Sequence, residues 1–250
     1  MMNENEATEL FSVRGLKVIV TGAAGGNGYA IARGFASAGA EVFILDLQDE
    51  EIFQAKNQVK NSTYFQVDIT KEHHIKTVMD EIGDIDVLVN NAGITLNADT
   101  DENYWSQTID VNLTSAYRLI NLVKDGMIKR GGGSIINITS ISAHIGSSGN
   151  PSYHASKGGL RHMSKGFAAD FGKYNIRVNC VCPGYIQTKM TQKSFNDKDR
   201  KQMIENRTML GRWGDPQDLV GVSLFLASRA SSYITGMDFF VDGGLTNKGF

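Results

Sequence analysis

The chain has 250 residues, 41% hydrophobic and 21% charged, with a formal net charge of -2. Those proportions suit an ordinary globular protein. The charges form no basic block of the kind a nucleic-acid surface needs, and no apolar run nears the ~20 residues of a membrane-spanning helix.

Residues 1–11 are polar and acidic, without the basic-then-apolar order of a signal peptide, and are expected to form a flexible extension of a single cytoplasmic domain spanning 1–250. Lys17–Thr21 (KVIVT) reads as a first strand running into glycines. A helix over 30–38, a strand over 41–45 and a polar helix follow, then a strand over 63–67. A helix over 71–82 precedes a strand over 85–90, and a long helical stretch covers roughly 101–130. Residues 134–139 form a fifth strand, and a helix over 152–174 leads into a strand over 176–182. The segment 184–211 is the least structured and is expected to be a substrate loop. A helix near 216–227 and a short strand at Asp238–Val241 complete the pattern. Strands alternating with helices predict an α/β fold with a parallel sheet, and continuously apolar strands predict helices on both faces. Cys180 and Cys182 are two apart on one strand and cannot readily bridge each other, so both are expected to be buried free thiols.

The first strand opens into Thr21-Gly22-Ala23-Ala24-Gly25-Gly26-Asn27-Gly28 and then at once a helix. Glycines let a chain turn sharply and bring backbone against a pyrophosphate, and the following helix offers free N–H groups to it. Gly22, Gly26 and Gly28, with Asn27, are therefore candidate cofactor residues. Asp46, with Leu47 beside it, ends the second strand. A carboxylate there can accept from both adenosine ribose hydroxyls and would repel a 2′-phosphate, and no arginine lies in 22–29, so NAD is expected over NADP. Asp46 can equally cap the next helix. Asp68 is positioned to meet the adenine amino group, with Ile69 against the ring; Asp-Ile-Thr also reads as a helix cap. In Asn90-Asn91-Ala92-Gly93, small residues would let the cofactor lie along the backbone at Ala92 and Gly93.

Tyr153 and Lys157 stand at i and i+4 on one helix, so their side chains share a face. Ser140 closes the fifth strand at the same sheet edge as the glycine turn. A tyrosine can exchange a proton with an alcohol oxygen if its pKa of about 10 is lowered, which the Lys157 cation is expected to do. Ser140 would hold the substrate oxygen. Asn112, polar among Val111 and Leu113, could hold a water relaying protons from Lys157, or be satisfied by backbone.

Together TGAAGGNG at 21–28, Asp46, Asp-Ile at 68–69, NNAG at 90–93, Asn112, Ser140, YHASK at 153–157, RVNCVCPG at 177–184 and GMDFFVDGG at 236–244 resemble the classical short-chain dehydrogenase/reductase family, over essentially the whole chain. The resemblance implies a doubly wound Rossmann-like domain with a seven-stranded sheet, and a catalytic tetrad of Asn112, Ser140, Tyr153 and Lys157. It implies cofactor contacts at Asn90, Pro183, Gly184, Ile186 and Thr188, with Lys157 also on the nicotinamide ribose. It implies a homotetramer whose close helix packing Gly158 and Gly159 would permit.

Ser142, His144, Asn150, Tyr185 and Thr188 are mostly polar pocket candidates, which leans toward a polyol, keto-sugar or sugar derivative. The alternatives are a 3-oxoacyl-thioester reductase and a non-catalytic NAD-binding regulatory protein. The five histidines have no metal-ligand spacing, and no metal is expected.

Overall fold

Val18 and Val20 point to one side of the first strand and Ile19 to the other, and all three are fully buried. Alternation along a strand sends neighbours to opposite faces, so a strand apolar at every position needs cover on both. The structure, a computed structural model, describes residues 4–51, 53, 59–96 and 103–249. Its elements run α1 (Glu4–Leu10), β1 (Lys17–Thr21), α2 (Gly26–Ser37), β2 (Glu41–Asp46), β3 (Ser62–Gln66), α3 (Glu72–Ile82), β4 (Val87–Asn90) and α4 (Tyr104–Ile109). A π-helical turn at Asp110–Thr114 joins α4 to α5 (Ser115–Lys129). Then come β5 (Gly133–Ile138), α6 (Pro151–Phe171), β6 (Ile176–Pro183), α7 (Gln192–Asn196), α8 (Lys198–Arg207), α9 (Val220–Ala227) and β7 (Asp238–Val241).

The sheet has seven strands in the order β3-β2-β1-β4-β5-β6-β7, and every pairing is parallel. On one face Val18, Val20, Ile44, Val89 and Ile136 pack against Ile31 and Phe35 of α2 and Leu226 of α9. On the other, Ile19, Phe43, Leu88 and Ile135 meet Ile75 of α3, Leu119 and Val123 of α5 and Phe171 of α6. The order of strands reverses between β1 and β4, and such a switch point opens a crevice beyond the carboxyl ends of the strands. Thr21, Asn90 and Ile138 end their strands at that edge.

The expected strands are all present, with their ends shifted by no more than two residues. Three helical expectations change. The stretch over 101–130 is broken by the π turn, where Ser115 N bonds to Asp110 O, five residues back; residues 101–102 lie outside the described residues. Most of the polar helix after β2 also lies outside them. The segment 184–211 is largely helical, not a loop: Asp197 accepts from Arg200 N at 3.0 Å to start α8, a helix with Ile204 as its buried residue. A solvated helix with one apolar anchor has no apolar periodicity to read. Residues 4–10 form α1. Cys180 and Cys182 are buried and free, their pKa values pushed by burial up to about 12 and about 11. Among the described residues no helix is long and apolar enough to cross a membrane.

Candidate active site

The crevice holds a cavity of about 400 Å³ that runs from Asp46 and Asp68, past Gly22, Gly25, Gly26 and Asn27, to Ser140, Tyr153 and Lys157. Its floor exists because two strand exits press together. A Cβ on Gly22, at φ +63, would lie 2.6 Å from Ala92 Cα, and one on Gly28 2.4 Å from Asn91 Nδ2 and 2.5 Å from Gly22 O. Asn91 Nδ2 donates to both Thr21 O and Gly22 O at 2.9 Å, and Ala92 N donates to Thr21 Oγ1 at 3.1 Å. These bonds tie β4 to the turn that follows β1.

Asp46 braces the same turn. Its Oδ2 accepts from Ala24 N at 2.8 Å and its Oδ1 from Gln48 N at 3.0 Å. The carboxylate is thus fixed at the cavity wall with lone pairs to spare, next to the exposed Leu47. Asp68 accepts from Thr70 N at 2.9 Å and Thr70 Oγ1 at 2.7 Å. Burial opposes its ionisation, but the Thr70 bonds and the charges of Lys71 and His74 outweigh that and hold its pKa below the usual value. Ile69, Ala92, Gly93, Pro183, Gly184, Ile186 and Thr188 all line the cavity.

At the far end, Pro151 begins α6 and Asn150 caps it, accepting from Tyr153 N at 3.2 Å. This sets Tyr153 in the first helical turn, opposite Ser140, which lies just beyond β5. Ser140 Oγ accepts from Ser142 N at 3.1 Å. Lys157 is 3% exposed, and its Nζ donates to Ile138 O at 2.8 Å and lies 5.9 Å from the Tyr153 ring centre. Desolvation lowers its pKa to about 8. The expectation that Lys157 would lower the Tyr153 pKa is corrected here. Desolvation raises Tyr153, the hydrogen bond with Ser140 pulls the other way, and the net shift is upward.

Asn112 sits in the π turn, 1% exposed. Its Oδ1 accepts from Ile94 N at 2.8 Å, and its Nδ2 donates to Ile94 O at 2.9 Å and Ser156 Oγ at 3.0 Å. Ser156 Oγ donates in turn to Tyr153 O at 2.8 Å. Both Nδ2 hydrogens are thus committed to protein atoms, while Oδ1 accepts one bond and keeps a second acceptor site.

Several expected contacts do not reach the cavity wall. Gly28 packs against Asn91 beneath it. Asn90 turns along the sheet, donating to Asn137 Oδ1 at 2.8 Å, while the neighbouring Asn91 lines the cavity. Among the substrate candidates, Ser142 donates to Ser140 through its N–H and binds His154 Nδ1 with its carbonyl at 2.9 Å. His144 lies 3.7 Å from Cys182 Sγ, its ring edge-on to Phe240. Asn150 is spent on its cap and on Thr95 Oγ1. Tyr185 packs on Trp213 at 5.4 Å. Residues next in sequence to a strand end fan out in different directions, so proximity to Ser140 along the chain was a poor guide. The sequence reading missed Thr70, Ile94, Val111, Lys189 and Met190, which line the cavity. Lys189 and Met190 fall in a segment with no period or motif to flag them.

His144, Cys182 and Asp238 bring their ligand-type atoms within 4.8 Å of one another. Asp238 Oδ2 is already held by Arg161 Nε at 2.8 Å and Lys165 Nζ at 3.2 Å. Two cations beside the carboxylate make the group a poor host for a third.

Residues 22–246 match the family profile described as Enoyl-(Acyl carrier protein) reductase. The chain is 35% identical over 248 residues to the 5-keto-D-gluconate 5-reductase of Escherichia coli strain K12, covering 95% of this chain and 98% of that one. It is 41% identical over 243 residues to the 3-oxoacyl-(acyl-carrier-protein) reductase of Chlamydia pneumoniae, covering 93% and 97%. A gluconate 5-dehydrogenase structure from Burkholderia cenocepacia J2315, in complex with NADP and tartrate, superposes with a TM-score of 0.88 at 34% identity, covering 97% of this chain and 100% of that one. The chain belongs to the short-chain dehydrogenase/reductase family. It is an oxidoreductase acting on alcohol and keto groups.

Proposed function

We propose that this enzyme interconverts a ketone and a secondary alcohol on a polyol, keto-sugar or sugar acid, using NAD(H), with Tyr153 as the acid or base. The observation that carries the reading is one cavity that joins Tyr153 to the glycine turn at 22–28 and to the fixed carboxylate of Asp46. The residues fit a nicotinamide dinucleotide. Asn27 Oδ1, buried in the cavity wall, has no hydrogen-bond partner among the described residues, and side chains at Gly22 or Gly28 would break up the turn. Gly22, Gly26 and Asn27 would hold the pyrophosphate, Asp46 the adenosine ribose, and Ala92, Gly93, Pro183, Gly184, Ile186 and Thr188 the nicotinamide half.

When bound, the nicotinamide supplies or accepts the hydride at the carbinol carbon. Ser140 Oγ donates a hydrogen bond to the substrate oxygen and keeps it in line with Tyr153. In reduction the Tyr153 hydroxyl gives its proton to that oxygen as the carbonyl becomes an alcohol; in oxidation the tyrosinate takes it back. Lys157, tied to Ile138 O, presents its remaining N–H bonds toward the cavity and stabilises the tyrosinate while charged. Asn112 holds the π turn against Ile94 and the Tyr153 helix.

Polarity of the pocket, the first reason to favour sugars, no longer supports that choice, since most of its members lie off the cavity. The support now is similarity to the keto-gluconate reductase. Similarity to the 3-oxoacyl reductase, at higher identity, favours the second reading, a 3-oxoacyl-thioester reductase. The solved relative bound to NADP stands against the preference argued from Asp46. A homotetramer fits the exposed Tyr117 on α5 and the open space beside Gly158 on α6, although Gly159 packs on Leu113 within the chain. The deciding experiment follows absorbance of NADH and NADPH with keto-sugar acids, polyols and 3-oxoacyl thioesters. Turnover of a sugar substrate with NADH supports the reading. Turnover of the thioester alone selects the second, and faster reaction with NADPH overturns the Asp46 argument.

A further inference from the structure

The charged residues lining the cavity are Asp46, Asp68, Lys157 and Lys189. The two carboxylates sit at the adenosine end, and Lys157 is buried on Ile138 O. The glycine turn 22–29 has no lysine or arginine, so it can meet a doubly charged pyrophosphate with N–H dipoles alone. Lys189 is different: it is exposed at the cavity wall, and among the described residues its ammonium makes no hydrogen bond or ion pair.

Its backbone is not loose. Thr188 N donates to Thr191 Oγ1 at 3.0 Å, and Thr191 Oγ1 donates to Ile186 O at 2.6 Å. Gln187 N donates to Gly214 O at 2.9 Å and so anchors the segment from the other side. This fixed turn lies across the first residue of α2. A Cβ on Gly26 would be 3.4 Å from Thr188 Cγ2. A flexible cation therefore stands on a rigid base, one residue from the point where the segment crosses the phosphate turn.

Resting on the dinucleotide reading above, we propose that Lys189 is the cofactor's electrostatic clamp, closing onto the pyrophosphate from the side opposite the glycine turn. The alternative anion, a substrate carboxylate, is less favoured because Thr188 ties this segment to Gly26. The test measures dissociation constants of ADP-ribose, of adenosine and of whichever of NADH and NADPH binds tighter, at low and high salt. Wild type is compared with Lys189→Gln and Lys189→Arg. Loss of one charge-assisted bond should weaken ADP-ribose and the dinucleotide about five- to tenfold and flatten the salt dependence, with adenosine unchanged and Arg restoring affinity. If Lys189→Gln binds ADP-ribose as tightly as wild type, the clamp is overturned; a raised KM for a carboxylated substrate but not a neutral polyol would then assign Lys189 to the substrate. Failure of wild type itself to bind any of the dinucleotides would overturn the cofactor reading, and the clamp with it.

Discussion

At its glycine-lined end the cavity is bounded by Gly22, Gly25 and Gly26, which offer backbone, and at its other end by Ser140, Tyr153 and Lys157, which offer titrating or hydrogen-bonding side chains. The first end depends on atoms that are missing: a Cβ at Gly22 or Gly28 has nowhere to go. The second depends on atoms held in place by a strand end and a capped helix start. One end should therefore fail through packing, with loss of binding and stability together. The other should fail through chemistry, with the fold and the cofactor's affinity intact.

The largest effect expected from this contrast is at Tyr153. Tyr153→Phe removes the hydroxyl proposed as the proton donor but keeps the ring. Turnover should fall about 10²- to 10⁴-fold, while the dissociation constant for NADH changes less than about twofold. Equal losses in both would mean that the two ends are not separable. At the glycine-lined end, Gly28→Ala places a methyl 2.4 Å from Asn91 Nδ2 and 2.5 Å from a backbone oxygen. Overpacking of this kind costs about 1–3 kcal/mol, read as a lower Tm together with weaker cofactor binding. Gly25→Ala is the control, because nothing lies within 4 Å of its added Cβ and its φ of -169 is ordinary extended backbone. Its Tm should stay within the ~0.5 kcal/mol typical of neutral surface changes. Similar Tm losses in both variants would refute the steric account.

The pH dependence sharpens the contrast from the chemical side. Desolvation raises the Tyr153 pKa, so at neutral pH the residue carries its proton. That is the form reduction needs, and ketone reduction should hold through neutrality and fall only in alkali. Alcohol oxidation needs the tyrosinate, so its kcat/KM should climb with pH, by up to about tenfold per unit below the pKa. Lys157, with its pKa lowered to about 8, loses its charge over the same alkaline range and so limits that climb. Profiles recorded in both directions test this. An oxidation rate that does not rise with pH below about 8, where Lys157 is still charged, would show that Tyr153 is not the base.

The two ends also differ in how far they could be read from sequence. The glycine turn and the Tyr-x-x-x-Lys pair have fixed spacing because local geometry demands it, and the inner strands are legible because burial on both faces makes them largely apolar, whereas the edge strands β3 and β7 are only partly buried. The Asn90 and Asn91 pair was harder: both are small amides at one strand end, and only the pleat decides that Asn90 turns along the sheet while Asn91 faces the turn. Ser142, His144, Asn150 and Tyr185 are polar and near strand ends in sequence, and neither property records direction. Lys189 carried no local signal, since its position follows from a long-range meeting of 186–191 with α2 and Gly214.

The smallest expected effect lies at Ser156, immediately before Lys157 on α6. It is fully buried, accepting from Asn112 Nδ2 and donating to Tyr153 O, so it links the π turn to the helix that bears the acid. Ser156→Ala leaves one Asn112 N–H without that partner, although Nδ2 keeps Ile94 O. A loss of about 1 kcal/mol in stability is expected, and a purely structural serine would do no more. If the link also positions Tyr153, kcat should fall several-fold with the substrate KM and the cofactor affinity unchanged. Ser156→Thr, which keeps the hydroxyl, should recover part of it. A loss of Tm with kcat intact would instead assign the link to the π turn alone, and would mean that the Asn150 cap and the Ile138 contact of Lys157 suffice to hold the chemical end in place.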